Sequence, residues 1–542
     1  MTNEILQGKS DTVNTLIRSD EGEVASAKPR RRLSRHAVKT VFCLLSFFLV
    51  TVSVAGNYAW QGPADDVISS GAWGQESNWL VGSVRAKQVP GIDDVAQFVG
   101  NMSPIVSFNN NYTVSSIVIP DGNTPEVMFD LGGYAFSVTN AVRIQKTWDS
   151  DACFAFTNGQ VTTRVASCGI TTTEQWDWGG GRIIVQGPEA KLDVENKLSV
   201  IGKFSEFLVG CGAKASCNKF EGTTGQVGGV VEVSGVGSLF TVQSEFRLRD
   251  RFQMVVSNGG KVSVSVSSSD RVTIGRRRQT GCGAYMKIDN GTFEVTSGDV
   301  VVGDVDNGYV YHNSLVLTNG ATMTVAGKVG LGCGHNGGKA DTNTLAVCNG
   351  STLIGSATSE VWSYGLNRGY DYWSHRNRIY VDGGEVSVMR MRIGNPGARP
   401  VSSNDVLFVS GNRAKIALSG TTADAFTLRM GSELRMTIPE SGFNVTPIQI
   451  PNGGATIVDD LDKGTKKTDF FLDAGVYSRK HKGRPLTLVE CGVDSTKSLQ
   501  LLVDNVTWVN TPEKLRGTLE VVDGKKLVYN PPPPQGLILF FR

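Results

Sequence analysis

The 542-residue chain lacks a surplus of charge of either sign, with 53 Lys plus Arg against 51 Asp plus Glu. Nucleic-acid binding rests on a basic field, so that class is excluded at the outset. Helix-forming runs are scarce. In their place stand 64 glycines and abundant Ser, Thr, Val and Asn, which predict strands joined by many turns. Nine cysteines contain no Cys-x-x-Cys spacing, which argues against a structural zinc site. No G-x-S-x-G element and no phosphate-binding glycine loop ahead of a helix is present. The 40% apolar content is still enough to bury a real core, so the chain is not disordered.

Long apolar runs are also few, and the one that stands out is VFCLLSFFLVTVSVA, Val41 to Ala55. It follows a hydrophilic leader ending in Arg30, Arg31, Arg32 and Arg35. Its length suits the apolar region of a signal peptide and falls short of the roughly 20 residues a spanning helix needs. Ser53 and Ala55 fit the small-residue positions of a cleavage site. An uncleaved single anchor is the alternative, because so long a leader is atypical of a simple signal. Under either reading the residues after 56 lie outside the cytoplasm, at the cell surface or in the medium, and touch a membrane only through this segment. The paired arginines are a loose match to a twin-arginine signal.

Cys43 lies in the apolar run, leaving Cys153, Cys168, Cys211, Cys217, Cys282, Cys333, Cys348 and Cys491. An even count in an exported chain permits disulfides, with Cys211 and Cys217 the first pair to test. The alternative is a set of small thiols buried in a stacked core.

What the middle of the chain does contain is a repeat. FAFTNG, RIIVQG, VVEVSG, MVVSNG, MKIDNG, LVLTNG, LAVCNG, IYVDGG and LFVSG each end an alternating apolar run on a turn glycine. Those glycines are Gly159, Gly187, Gly235, Gly259, Gly291, Gly320, Gly350, Gly383 and Gly411, most of them about 30 residues apart. The interval from Gly187 to Gly235 is long enough to hide a degenerate copy. A second alternating strand follows each turn, and a third ends in Gly275, Gly303, Gly332 or Gly394. Three short strands per repeat with no helical period predict a β-solenoid whose coils stack about 4.8 Å apart. Asn313, Asn343, Asn377 and Asn404 precede their turn glycines by 7, 7, 6 and 7 residues. They suit an amide ladder along one corner, although asparagine is also a common turn residue.

Before the repeats, Trp60, the Ala72-Trp73 and Asn78-Trp79 pairs, Pro90-Gly91 and the run from Asp93-Asp94 to Phe98 resemble the opening of secreted bacterial β-helix proteins of the autotransporter-passenger type. The resemblance implies an all-β, right-handed parallel β-helix, pectate-lyase-like in architecture, with the tryptophans capping its first coils. It departs from true autotransporters in having no C-terminal series of amphipathic strands to form a translocating barrel.

The expected organisation is a leader with signal or anchor (1–56) carrying an apolar helix, a tryptophan-containing cap (57–105), solenoid repeats (106–420), a C-terminal β region (421–530), and a Pro-rich spacer with an apolar tail (531–542). Asp523-Gly524 between LEVV and KLVY reads as a hairpin turn. The tail GLILFFR reads as a final packed strand or a sorting tag.

Chemistry concentrates in three long corner loops: Asp304 to His312, Cys333 to Asp341, and WSYGLNRGYDYWSHR from Trp362 to Arg376. His312, His335 and His375 all fall in them. Stacked coils bring such loops to one side. Trp362, Tyr364, Tyr370, Tyr372 and Trp373 suit stacking on sugar rings, with Asn367, Asp371, His375 and Arg376 as polar partners for a polysaccharide or cell-surface glycan. Equally, the rings pack onto the solenoid and hold the loop down. Asp304, Asp306 and His312 resemble the start of a calcium loop that lacks its closing acid. Asp304, Asp306, Asp371 and Arg376 are the residues a polysaccharide lyase or hydrolase would use, but no paired-carboxylate motif stands out, and Arg276 to Arg278 read as a solvated loop. No cofactor is implied. The sequence therefore favours a non-catalytic, adhesin-like scaffold, with a glycan-binding protein or carbohydrate-active enzyme as the alternative.

Overall fold

The strand alternation seen in the sequence becomes a stacked solenoid in a computed structural model describing residues 55–62, 70–145, 152–169, 180–202, 204–223, 229–267, 270–277, 281–305, 309–334, 339–364, 374–394, 404–429, 431–458 and 467–534. In strands such as Val230–Ser234, Tyr285–Asp289 and Ser314–Thr318, buried and half-buried positions alternate, because successive side chains leave opposite faces. Parallel pairing in register then turns the inward positions into rows. One row runs Val231, Met254, Met286, Leu315, Leu345, Ile379, Leu407, Leu434, Phe470. Every member is fully buried. Each such side chain contributes about 1.5–3 kcal/mol on leaving water, and none has a partner to bury against without the next rung.

Every rung crosses two extended sheets. The second sheet has 16 strands and the principal sheet 27. A rung leaves the second sheet through an Asn-Gly type turn and enters the principal sheet. Asn158, Asn258, Asn290, Asn319 and Asn349 hold left-handed conformations at these turns, with φ between 51° and 53° except Asn319 at 56°. Asparagine tolerates that region better than other non-glycine residues. The copy hidden between Gly187 and Gly235 is Phe204–Gly210, followed by Cys211 and Gly212 at φ 55° and 86°.

This placement corrects the disulfide expectation. Cys211 is an exposed turn residue while Cys217 points into the core from Lys214–Thr223, and both are free thiols. Buried thiols in the stack, Cys168 and Cys217 among them, are what the described residues show, and burial pushes both thiols up.

Rungs come in two lengths. Arg182, Glu206, Val230 and Gln253 stand one above another in the second sheet, 24, 24 and 23 residues apart. From Gln253 the succession is Tyr285, Ser314, Thr344, Arg378 and Val406, at 32, 29, 30, 34 and 28. In the long rungs the principal-sheet strand is split in two, as in Thr292–Ser297 and Asp299–Val305, and a third, four-stranded parallel sheet appears.

The ends are closed differently. At the start, Asn57–Trp60 pairs antiparallel with Trp79–Val81 and parallel with Val95–Gln97. Trp60, Trp73 and Trp79 are buried there, with Trp60 and Trp73 each edge-on to Trp79 at 5.0 and 4.8 Å. Parallel pairing continues past Thr421 as far as Val506–Trp508. The expected hairpin is present: Thr518–Val522 and Lys526–Asn530 are antiparallel across Asp523 (φ 52°) and Gly524 (φ 66°). Lys526–Asn530 also pairs antiparallel with Leu486–Cys491 and ends the stack. Among the described residues no helix is long and apolar enough to cross a membrane. The leader, its apolar helix and the tail GLILFFR lie outside the described residues.

Candidate functional surface

The corner loops do emerge together. Their ends form the third sheet, Gly281–Cys282, Tyr309–Tyr311, Lys339–Asp341 and Ser374–His375, paired in parallel. Register sets Cys282, Tyr311, Asp341 and His375 in one row. The next residue of each loop is left-handed: Gly283, His312, Thr342 and Arg376, at φ 79°, 59°, 53° and 55°. That sharp corner delivers the chain back to the second sheet.

The residue after the corner carries the ladder. Asn313 Nδ2 donates to Asn343 Oδ1 at 2.8 Å, and Asn343 Nδ2 donates to Asn377 Oδ1 at 3.0 Å. The backbone N–H groups of Ala284 and Asn343 donate to the amide oxygens of the rung above, Asn313 and Asn377, at 3.1 and 3.0 Å. Glycines make room for these amides. A Cβ on Gly275 would stand 2.0 Å from Asn313 Oδ1, and one on Gly303 would stand 2.3 Å from Asn343 Oδ1.

One member of the expected ladder is wrong. Asn404 is the left-handed corner residue at φ 45°, and the buried ladder position is its neighbour Asp405. Asp405 Oδ1 accepts from the Asn377 N–H at 2.9 Å and Oδ2 accepts from Ser363 Oγ at 2.7 Å. Ser363 Oγ accepts from the Gly394 N–H at 2.9 Å, and Asn377 Nδ2 donates to the Ser363 carbonyl at 2.8 Å. One buried knot thus ties both ends of the loop between Ser363 and Asn377 and both ends of the loop between Gly394 and Asp405. Burial raises the Asp405 carboxyl well above its ordinary range, helped by the nearby Asp341 charge and opposed by the bonds from Ser363 and Asn377.

The aromatic segment divides on inspection. Trp362 and Tyr364 stack with centroids 5.1 Å apart. Lys328 Nζ sits 4.3 Å from the Trp362 ring centroid and the Arg392 guanidinium 5.4 Å. Trp362 Nε1 donates to the buried Glu360 Oε2 at 2.5 Å. Glu360 also faces Arg390 and Arg392 at 3.6 and 3.7 Å, and Arg392 reaches Asp424 at 3.2 Å. Trp362 further packs on Val301 and Cys333, outward-facing yet fully buried residues of the principal sheet. Burial raises the Tyr364 hydroxyl. Burial alone would lower the Arg392 guanidinium, but its bond with Tyr364 and the charges of Glu360 and Asp424 outweigh this and raise it. The two rings are therefore engaged by their own protein rather than presented to solvent.

Of the other expected residues, Tyr370, Asp371, Tyr372, Trp373, Asn367, Asp306 and His335 lie outside the described residues, and for His375 only the backbone is described. Arg376 is exposed, 4.0 Å from Asp341. His312 is exposed, its Nδ1 3.3 Å from Thr342 Oγ1 and its ring edge-on to Tyr311. Asp304 is buried in Asp299–Val305, opposite Cys333 and Arg276. Arg276 and Arg277 belong to the strand Arg271–Arg277, which corrects the reading of that run as a solvated loop; a parallel neighbour at Asp299–Val305 continues the pairing through them. Among the described residues no group of three or more His, Cys, Asp or Glu is placed to hold a metal ion.

Sequence reasoning missed Lys328, Glu360, Ser363, Arg392 and Asp405. Their partners sit one rung away, so no local pattern marks them. No protein-family model matches this chain, and no curated protein matches it either.

Proposed function

We propose that the chain is an exported, right-handed β-helix that serves as an extracellular or cell-surface scaffold of the adhesin-like kind. The observation that carries this reading is the internal satisfaction of the Trp362 stack: its rings, cations and carboxylates bind one another and clamp a loop to the rod. The resemblance of the tryptophan-rich opening to autotransporter passengers, and the leader Met1 to Ala55, support export. A single buried column from Trp60 to Tyr529 supports a rigid spacer role. Proteinase added to intact cells expressing the full chain should degrade it from outside. Protection until the cells are lysed would refute surface display.

Glycan binding is the second reading, favoured by one row of the third sheet. Tyr311, His312, Asp341, Thr342 and Arg376 align hydroxyl, imidazole, carboxylate and guanidinium groups on consecutive rungs. Such a mixed row matches the donors and acceptors of a polysaccharide better than a metal or a nucleotide. A glycan array with wild type and Arg376→Ala tests it, and retention unchanged by that substitution would discard the row as the site. Depolymerisation of an acidic polysaccharide, lost in Asp304→Asn, would instead establish an enzyme.

A further inference from the structure

The exposed aliphatic side chains of the first rungs are gathered round one place, where the chain enters the fold. Val81, Val84 and Ile92 are 45%, 67% and 59% exposed. Val81 pairs opposite Tyr58, and Val84 opposite Val81 across the Gly82-Ser83 turn. Ile92 follows Gly91, and the Asp94 carboxylate accepts from the N–H groups of both Gly91 and Gly56 at 2.8 Å. The Val95 N–H donates to the Gly56 carbonyl at 2.9 Å, which fixes the entry point against the same loop. All three side chains therefore ring Gly56, with Lys87 and Gln88 exposed beside them.

Immediately before that point the sequence runs apolar from Val41 to Ala55, with no linker between this run and the strand beginning at Asn57. As a helix, fifteen residues would extend about 22 Å. A bilayer's hydrocarbon core is about 30 Å thick. A spanning segment this short either thins the bilayer or draws its attached body into the interface. A body so drawn needs aliphatic groups on its rim and amphipathic or polar ones behind them, which is the composition found around Gly56. A cleaved signal, by contrast, gives no reason for these side chains to surround the entry point.

We propose that Val81, Val84 and Ile92 form a collar that rests in the interfacial zone of a phospholipid bilayer, with the run Val41–Ala55 retained as its anchor. This rests on the exported reading and selects the anchor over the cleaved signal. The collar faces the lipid while the rod projects away from it.

The test uses the full chain, expressed from its own first residue in a bacterial host, with a photocrosslinking amino acid at position 84, 92 or 476. Val476 is a matched control at 49% exposure, just beyond Asp469–Asp473. Fourteen strand spacings of the second sheet separate that strand from Gly71–Ala72, about 67 Å at the usual spacing. The chain should remain in carbonate-washed membranes, and positions 84 and 92 should form phospholipid adducts several-fold above position 476. Retention with adducts no higher at 84 and 92 than at 476 overturns the collar while leaving export and anchoring intact. Crosslinks from these positions to a second copy of the chain overturn it in favour of self-association. Release of a chain beginning at residue 56 overturns anchor and collar together, and a chain found only in the cytosol removes the exported reading itself.

Discussion

The two halves of the solenoid hold their rungs together by different means. From Trp60 to Phe293 the core is threaded by ring contacts: Trp73 with Phe108 and Phe136, Phe129 with Phe156, Phe207 with Phe240, Phe220 with Phe246. Rungs there are as short as 23 residues, and no polar ladder runs along the corner, where Phe252 and Ala284 are simply buried. From Asn313 to Asp405 the core is aliphatic, the rungs are longer, and directional amide bonds run along the corner. Ring packing tolerates small slips, whereas a hydrogen-bonded amide fixes register. The difference teaches that long loops are carried where register is fixed by polar bonds, because both ends of a loop need a defined place to return to.

That contrast can be broken from either side. The largest effect is expected for Trp73→Ala, which empties the aromatic plug at a cost of about 3–5 kcal/mol. Hydrogen exchange should show lost protection in the first rungs while Ser314–Thr318 and its neighbours keep theirs; equal loss throughout would mean the halves are one cooperative unit. Next, Asn343→Ala strands the Asn313 amide and removes a donor to Asn377, at about 2–4 kcal/mol in denaturant unfolding.

Asp405→Asn should act in the opposite direction. A carboxyl whose folded pKa lies above its unfolded one binds more protons in the folded chain, so its penalty grows as pH rises from about 4 toward the folded value. Wild type should therefore lose stability over that interval relative to Asp405→Asn, and the variant should melt higher at neutral pH. Parallel melting curves across pH would show that Asp405 is not the titrating group. Thr342→Gly relieves a β-branched residue from φ 53°, for a gain of about 1 kcal/mol. The smallest change belongs to Lys415→Ala, which removes the half-exposed pair with Glu385 at 2.8 Å and should cost under about 1 kcal/mol.

The rungs were legible because the glycine turn and the two-residue alternation are local signals, and even the degenerate copy at Phe204–Gly210 left its gap. The third sheet was not, since strands as short as Gly281–Cys282 and Ser374–His375 carry no period of their own. The ladder was read correctly up to its end, where asparagine and aspartate stand side by side and only burial tells the corner residue Asn404 from the ladder residue Asp405. The Trp362 segment was visible as an aromatic cluster, but whether its faces were free depended on Lys328 and Arg392, which are neighbours only after stacking.

The fit between Gly275 and Asn313, and between Gly303 and Asn343, has an evolutionary consequence. Neither partner can change first, because a methyl group on the glycine collides with the amide and a larger corner residue has nowhere to go. In any set of relatives these positions should co-vary at separations of 38 and 40 residues, leaving a signature of the stack that a single sequence cannot display.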